Sequence, residues 1–183
     1  MRGPVMNCAS AQELFRSRNG TSQSGIASAS IMRSSSQAYA IAQSVLFCAF
    51  AAVVLFDPST ALVTGGVVRA AGLLLAVIGL AIMFAALAAL RNVVQIAPEP
   101  RPGGHLVTSG IYSRLRHPIY TGIVVIVIGV AMRSATPAVL AVGAGVIVFL
   151  LFKTRYEEAL LQTRYPDYSA YRSRTWGVIP LLR

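Results

Sequence analysis

Four long apolar runs constrain this chain more than anything else in it. Ala38–Phe56 and Val67–Leu90 are each close to the ~20 helical residues that cross a bilayer core. Ile119–Met132 and Pro137–Phe152 are shorter, with only Arg133-Ser134-Ala135-Thr136 between them. That spacing predicts a tight helical hairpin whose helices extend into flanking residues, and short spans also suit a thin or tilted region. Asp57-Pro58-Ser59-Thr60 stops the first run in a turn. Gly72 and Gly79 lie inside the second run and suit close helix–helix approach. The expected class is an all-α integral membrane protein with about four transmembrane helices. Composition agrees: 12% of residues are charged, against about 25% in a soluble domain. The length of 183 residues suits one domain, taken as 37–183.

Residues 1–36 read differently. They are rich in Ser, Gly, Asn and Gln without an apolar period, so a disordered tail is expected. No apolar core of a signal peptide occurs there. Met32, just ahead of Arg-Ser-Ser-Ser and the first apolar run, is a candidate natural start, with 1–31 then dispensable. The two cysteines, Cys8 and Cys48, form no CxxC motif, and Cys48 reads as a small hydrophobe in an apolar run.

The net charge of +10 could suggest nucleic acid. Here the basic residues flank apolar runs, which favours anionic lipid headgroups instead. Their distribution sets a topology. The N-terminal tail, the 91–118 loop and the segment after Phe152 hold 14 of the 16 Lys and Arg; Arg69 and Arg133 are the other two. Short cytoplasmic loops carry such an excess. Four spans with both termini in the cytoplasm satisfy it, and they bring the 91–118 loop and the C-terminal segment to one side.

Those two polar regions hold the candidate chemistry. The stretch Gly104–Gly122 contains both histidines, His105 and His117, and ends in Arg116-His117-Pro118-Ile119-Tyr120 at the mouth of an apolar run. Pro98, Pro100, Pro102 and Gly103-Gly104 make Gln95 to Thr108 an irregular loop, and Gly110 permits a turn before Tyr112. Pro118 suits a first helical turn, so Arg116-His117 sits at a helix start that favours an anion. Arg114 and Arg116 also fit a plainer role as interfacial anchors. After Phe152, Lys153-Thr154-Arg155-Tyr156-Glu157-Glu158 continues the last apolar helix without a breaker. The two glutamates point about 100° apart on a helix, which predicts that only one faces the loop. Lys153 lies four residues before Glu157, and Arg155 three before Glu158, so a solvated ion-pair helix is the plain alternative. No dinucleotide-binding, P-loop or nucleophile-elbow motif occurs, and no convincing metal site. The residues alone leave open an enzyme on lipid-like substrates and a small transport or sensor module.

Leu-Val-Thr-Ser-Gly-Ile-Tyr at 106–112 and Arg-His-Pro-x-Tyr-x-Gly at 116–122 resemble the core motif of the isoprenylcysteine carboxyl methyltransferase family, within the wider group that includes phospholipid methyltransferases. Glu157-Glu158, Leu161, Tyr168, Tyr171 and Ile179-Pro180 resemble that family's C-terminal signature, and Val93-Val94-Gln95 an upstream segment. The resemblance covers roughly 91–180. It implies S-adenosylmethionine bound without a Rossmann domain. Cofactor contacts would fall on Gln95, His105, Leu106, Val107, Tyr112, His117, Pro118, Ile119 and Tyr120 and on one glutamate of the pair, taken as Glu157; Arg116 joins them because its charge suits the cofactor's carboxylate. Catalytic roles would fall on Glu158 and on Arg155, favoured over Lys153 as the acceptor contact. Tyr165-Pro166 departs from the Phe-Gly of the eukaryotic members.

The implied activity is a membrane methyltransferase. Its leading form acts on the carboxylate of an amphiphilic, isoprenylcysteine-like acceptor that enters from the lipid. A phospholipid or small lipophilic amine methyltransferase is the enzyme alternative, and the transport or sensor module the non-enzymatic one.

Overall fold

The computed structural model describes residues 35–62, 65–90 and 106–179. The tail 1–34, Gln95, His105 and Pro180 lie outside the described residues. The described chain is helical, with no strand. Helix α1 runs Ser35–Phe56, α2 Gly66–Leu90, α3 Pro118–Ser134, α4 Pro137–Arg164 and α5 Tyr168–Arg174, and a single 3-10 turn covers Gly110–Ser113. The chain divides at Ile41; the packed unit begins at Ala42, inside α1.

Helices α1, α2 and α4 are long and apolar enough to cross a membrane; α3, with 17 residues, is shorter. At 1.5 Å per residue α3 spans roughly 25 Å. Helix α4 continues unbroken from its apolar run into Lys153–Arg164, as the absence of a breaker predicts.

The helices alternate in direction, and particular residues set their register. Helices α2 and α3 meet almost backbone to backbone, through Gly72 and Gly79 on one and Gly122 and Gly129 on the other. A Cβ on Gly72 would lie 2.5 Å from the Gly129 carbonyl oxygen, and one on Gly79 would lie 2.6 Å from that of Gly122. Lipid offers no hydrophobic drive for helices to associate, so close dispersion contact between small residues takes its place. Gly122 and Gly129 repeat the seven-residue spacing of Gly72 and Gly79. That match was legible in the sequence and is the signal that would have paired the two helices.

Helices α1 and α4 run antiparallel. At their far end Thr136 donates a 2.6 Å hydrogen bond from its hydroxyl to Asp57, while accepting from the Val139 N–H as the α4 cap. The Leu62 N–H donates to the Ala135 carbonyl beside it. Ala135 turns the α3–α4 hairpin at φ 43°, a left-handed conformation that costs a side-chain-bearing residue about 1 kcal/mol. The buried stripe of α4 is Val139, Gly143, Val146, Leu150, Thr154 and Glu158. Its middle members, Val146 and Leu150, join Val124, Val127 and Val178 in the core, and its last member carries a charge into the polar end of the molecule.

Candidate active site

The chain after α4 folds back over the start of α3. The Arg116 N–H donates to the Trp176 carbonyl at 2.8 Å, and the Trp176 N–H to the Arg114 carbonyl at 2.9 Å. The Thr121 hydroxyl donates to the Val178 carbonyl at 2.7 Å, and the Tyr171 hydroxyl to the Tyr112 carbonyl at 2.7 Å. These bonds fix Tyr112 through Thr121 as a rigid ledge. Gly110, at φ 61°, makes the preceding turn.

Arg116 lies beneath this ledge with 3% of its side chain exposed. Its Nε donates to Glu158 Oε1 at 2.7 Å, and its Nη1 to the carbonyls of Arg172, at 2.9 Å, and Thr175. The last two carbonyls belong to the end of α5, where helix carbonyls lack intrahelical partners. Arg116 was expected among the cofactor contacts. Instead its Nε and Nη1 are taken up in locking α4, α5 and the ledge together. Glu158 also has Arg172 Nε at 3.5 Å. Burial by itself would push the Glu158 carboxyl up. The hydrogen-bonded ion pair with Arg116 and the nearby His117 ring outweigh burial and hold it at about 2. Glu158 lies beyond the apolar run that ends at Phe152.

The other half of the cluster is more open. His117 caps α3, and its ring stacks on Tyr120 with centroids 5.7 Å apart. Its Nδ1 is 3.8 Å from Glu157 and its Nε2 3.4 Å from Glu158. The Nε2 contact is poorly aligned, so this buried nitrogen has no hydrogen bond among the described residues. The Tyr120 hydroxyl donates to Glu157 Oε1 at 2.7 Å. Lys153 Nζ lies 3.7 Å from that same oxygen, sits 5.3 Å from the Tyr120 ring centroid, and donates to Gln43 of α1. Glu157 keeps 30% of its side chain exposed.

Both glutamates therefore face the His117 ledge. The expectation of only one fails for a simple geometric reason. Glu157 and Glu158 lie three and four residues after Thr154, on either side of the line along which α4 faces α3, and His117 sits on that line. Arg155, favoured as the acceptor contact, is exposed and has no ion-pair partner among the described residues. Lys153 occupies the inward position. Gln43 was not foreseen as part of this end of the molecule; a lone Gln in an apolar run is the signal that marks it. Tyr112 and Pro118 are buried, while Leu106, Val107 and Ile119 are half-buried. No group of three metal-ligating side chains exists among the described residues.

The sequence profile of the phospholipid methyltransferase family matches residues 67–168, more than half of the chain. The chain belongs to that family. Among solved structures it is similar to the eukaryotic intramembrane Ras methyltransferase ICMT (isoprenylcysteine carboxyl methyltransferase), with a TM-score of 0.57 at 22% identity. The match covers 80% of this chain and 53% of that one, so this chain spans about half the length of that protein. At such identity the likeness concerns the fold. No curated protein matches. Family and fold together make this an integral membrane protein of the membrane methyltransferase type.

Proposed function

We propose that the chain transfers a methyl group from S-adenosylmethionine to the carboxylate of an amphiphilic acceptor, at the cytoplasmic face of a four-span domain with both termini in the cytoplasm. The observation that carries this reading is the open half of the cluster. It combines a buried imidazole nitrogen without a hydrogen bond, a carboxylate oriented by a tyrosine, and an ammonium at its edge.

That donor and acceptor set fits an amino-acid zwitterion. Glu157 would hold the cofactor's ammonium, and the uncommitted His117 nitrogen would meet its polar groups. Tyr120 offers a ring face to positive charge. Leu106, Val107, Tyr112, Pro118 and Ile119 would line the rest of the cofactor site, and Gln95 and His105 would complete it from the loop. The bound cofactor supplies an electrophilic methyl group on a sulfonium.

The acceptor class follows from what the carboxylates can do. An ammonium acceptor must first lose a proton to a base. Glu158 is a weak base, because Arg116 and His117 stabilise its ionised form. Glu157, oriented by Tyr120, is taken up in this reading by the cofactor's ammonium and is not free to act as that base. A carboxylate acceptor is ionised beforehand and needs no base. Lys153 is placed to hold it, and the chain then contributes alignment and exclusion of water. In this reading Arg116 and Glu158 are positioning residues that keep His117 and Glu157 in register.

Calorimetric binding of S-adenosylhomocysteine to the detergent-purified protein tests the reading. Wild type should bind, and a folded His117→Ala variant should not. Absence of binding in folded wild type would overturn it and favour the transport or sensor module. Carboxyl transfer is then distinguished from amine transfer by treating the product with base, because methyl esters hydrolyse and methylamines do not.

A further inference from the structure

The polar cluster does not end at Lys153 and Tyr120; it opens downward onto apolar space. Three contacts order α1 against α4 along the membrane normal. Lys153 bonds Gln43 at the polar end, Gly143 meets Phe50 at mid-depth, and Thr136 bonds Asp57 at the far end. On α1, Gln43, Phe47 and Phe50 share one face, at spacings of four and three residues. On α3, Tyr120, Ile123 and Val127 do the same. Between these two faces lies a cavity of about 200 Å³ lined by Phe47, Phe50, Ile123, Ile126 and Val127. It begins one helical turn below Tyr120.

Its lower boundary is tight. A Cβ on Gly143 would lie 3.1 Å from Val127 Cγ1 and 3.2 Å from Phe50 Cε2. Below that contact a second apolar cavity of about 440 Å³ continues toward Ala135, lined in part by Val127, Ala131, Gly143 and Ile147. Val127 alone borders both spaces.

We infer that the upper cavity takes the lipid tail of the methyl acceptor, and that Phe50, wedged against Val127 and Gly143, is the floor that sets how long a tail is accepted. The inference rests on the acceptor reading above. A carboxylate held by Lys153, which lies over the Tyr120 ring, brings its tail to the mouth of this cavity, one helical turn below. Lipid is as apolar as the cavity wall, so burial alone gains the tail little. Selection is steric. A tail that outgrows the upper space meets the Phe50 ring and must bend outward, whereas removing the ring joins the two cavities.

The test uses the full chain in detergent and three S-prenyl cysteine acids carrying geranyl, farnesyl or geranylgeranyl tails. Calorimetry measures the affinity of each with and without S-adenosylhomocysteine. In wild type the longest tail should bind roughly tenfold more weakly than the best shorter one, the size of a single overpacked site. Phe50→Ala should erase that difference, and Phe50→Leu, which retains part of the bulk, should preserve some of it. Cofactor-product affinity should be the same in all three proteins. An identical tail-length profile in wild type and Phe50→Ala, with S-adenosylhomocysteine still bound, would overturn the floor. A profile that changes as expected while no protein binds S-adenosylhomocysteine would support the floor and sink the methyltransferase reading alone.

Discussion

Helix α3 is held on two sides by opposite means. Against α2 it is held by absence: four glycines without side chains let two backbones touch. Against α4 and the C-terminal segment it is held by charge. Arg116, Glu158, His117 and Glu157 form a chain of contacts around the first turn of α3. The glycine seam has no slack, because any added atom meets backbone. The charged side divides again. Arg116 and Glu158 are enclosed and mutually satisfied, while Glu157 and Lys153 keep access to solvent and exchangeable partners. One side of α3 and the inner half of the other thus supply rigidity, while the outer half of the cluster stays partly open to solvent.

The strongest way to break this arrangement is Glu158→Ala. It leaves the Arg116 guanidinium enclosed without its carboxylate, which should cost about 3 kcal/mol or more of stability. Thermal unfolding in detergent should show a large loss, and Glu158→Gln a smaller one. The acid limb gives an independent check. A carboxyl held at about 2 against its ordinary 4.5 contributes stability above the ordinary value. That stability is lost as pH falls from 4.5 toward 2. Wild type should therefore lose melting temperature across that window more steeply than Glu158→Gln.

The seam is tested by Gly129→Ala. Its new Cβ would lie 2.5 Å from the Gly72 carbonyl oxygen and 2.6 Å from the Ala76 nitrogen. The backbones must separate, at a cost of about 1–3 kcal/mol. Gly145→Ala, with nothing near its Cβ, is the control and should leave the melting temperature close to wild type.

The outer half responds differently. Tyr120→Phe removes the hydroxyl that orients Glu157. Affinity for S-adenosylhomocysteine should fall by about 1 kcal/mol, or roughly fivefold, with little change in melting temperature. An equal loss in both would show that the outer half is as structural as the inner half. The smallest effect should come from Arg155→Ala. This exposed residue should change stability by less than about 0.5 kcal/mol. Lys153→Met, one turn before Glu157, should depress turnover well beyond Arg155→Ala at equal cofactor affinity.

Much of this was legible in the residues. Apolar runs announced the helices, Pro118 the start of α3, and the uninterrupted stretch after Phe152 the extension of α4. The motif at 116–120 and the glutamate pair announced that the two polar regions belong together. What misled was reasoning about one helix at a time. Glu157 and Glu158 diverge on an isolated helix, yet His117 approaches between them and meets both. Arg155 is the better carboxylate ligand by chemistry, but the rotation of α4 turns Lys153 inward instead. Arg116 looked like an anion clamp because nothing in the sequence reveals that the end of α5 returns to claim it.

The sequence by itself determined what must be buried in lipid, where helices begin, and which side chains carry chemistry. Those properties follow from local hydropathy, from backbone constraints at Pro and Gly, and from side-chain type, and none needs a partner. Only the tertiary structure decided which charges are spent on each other and which stay open, and where the apolar space beneath them is closed by Phe50. Those outcomes depend on the rotation and register of packed helices. Close backbone approach at four glycines sets the register of α2 against α3, and hydropathy alone does not encode it.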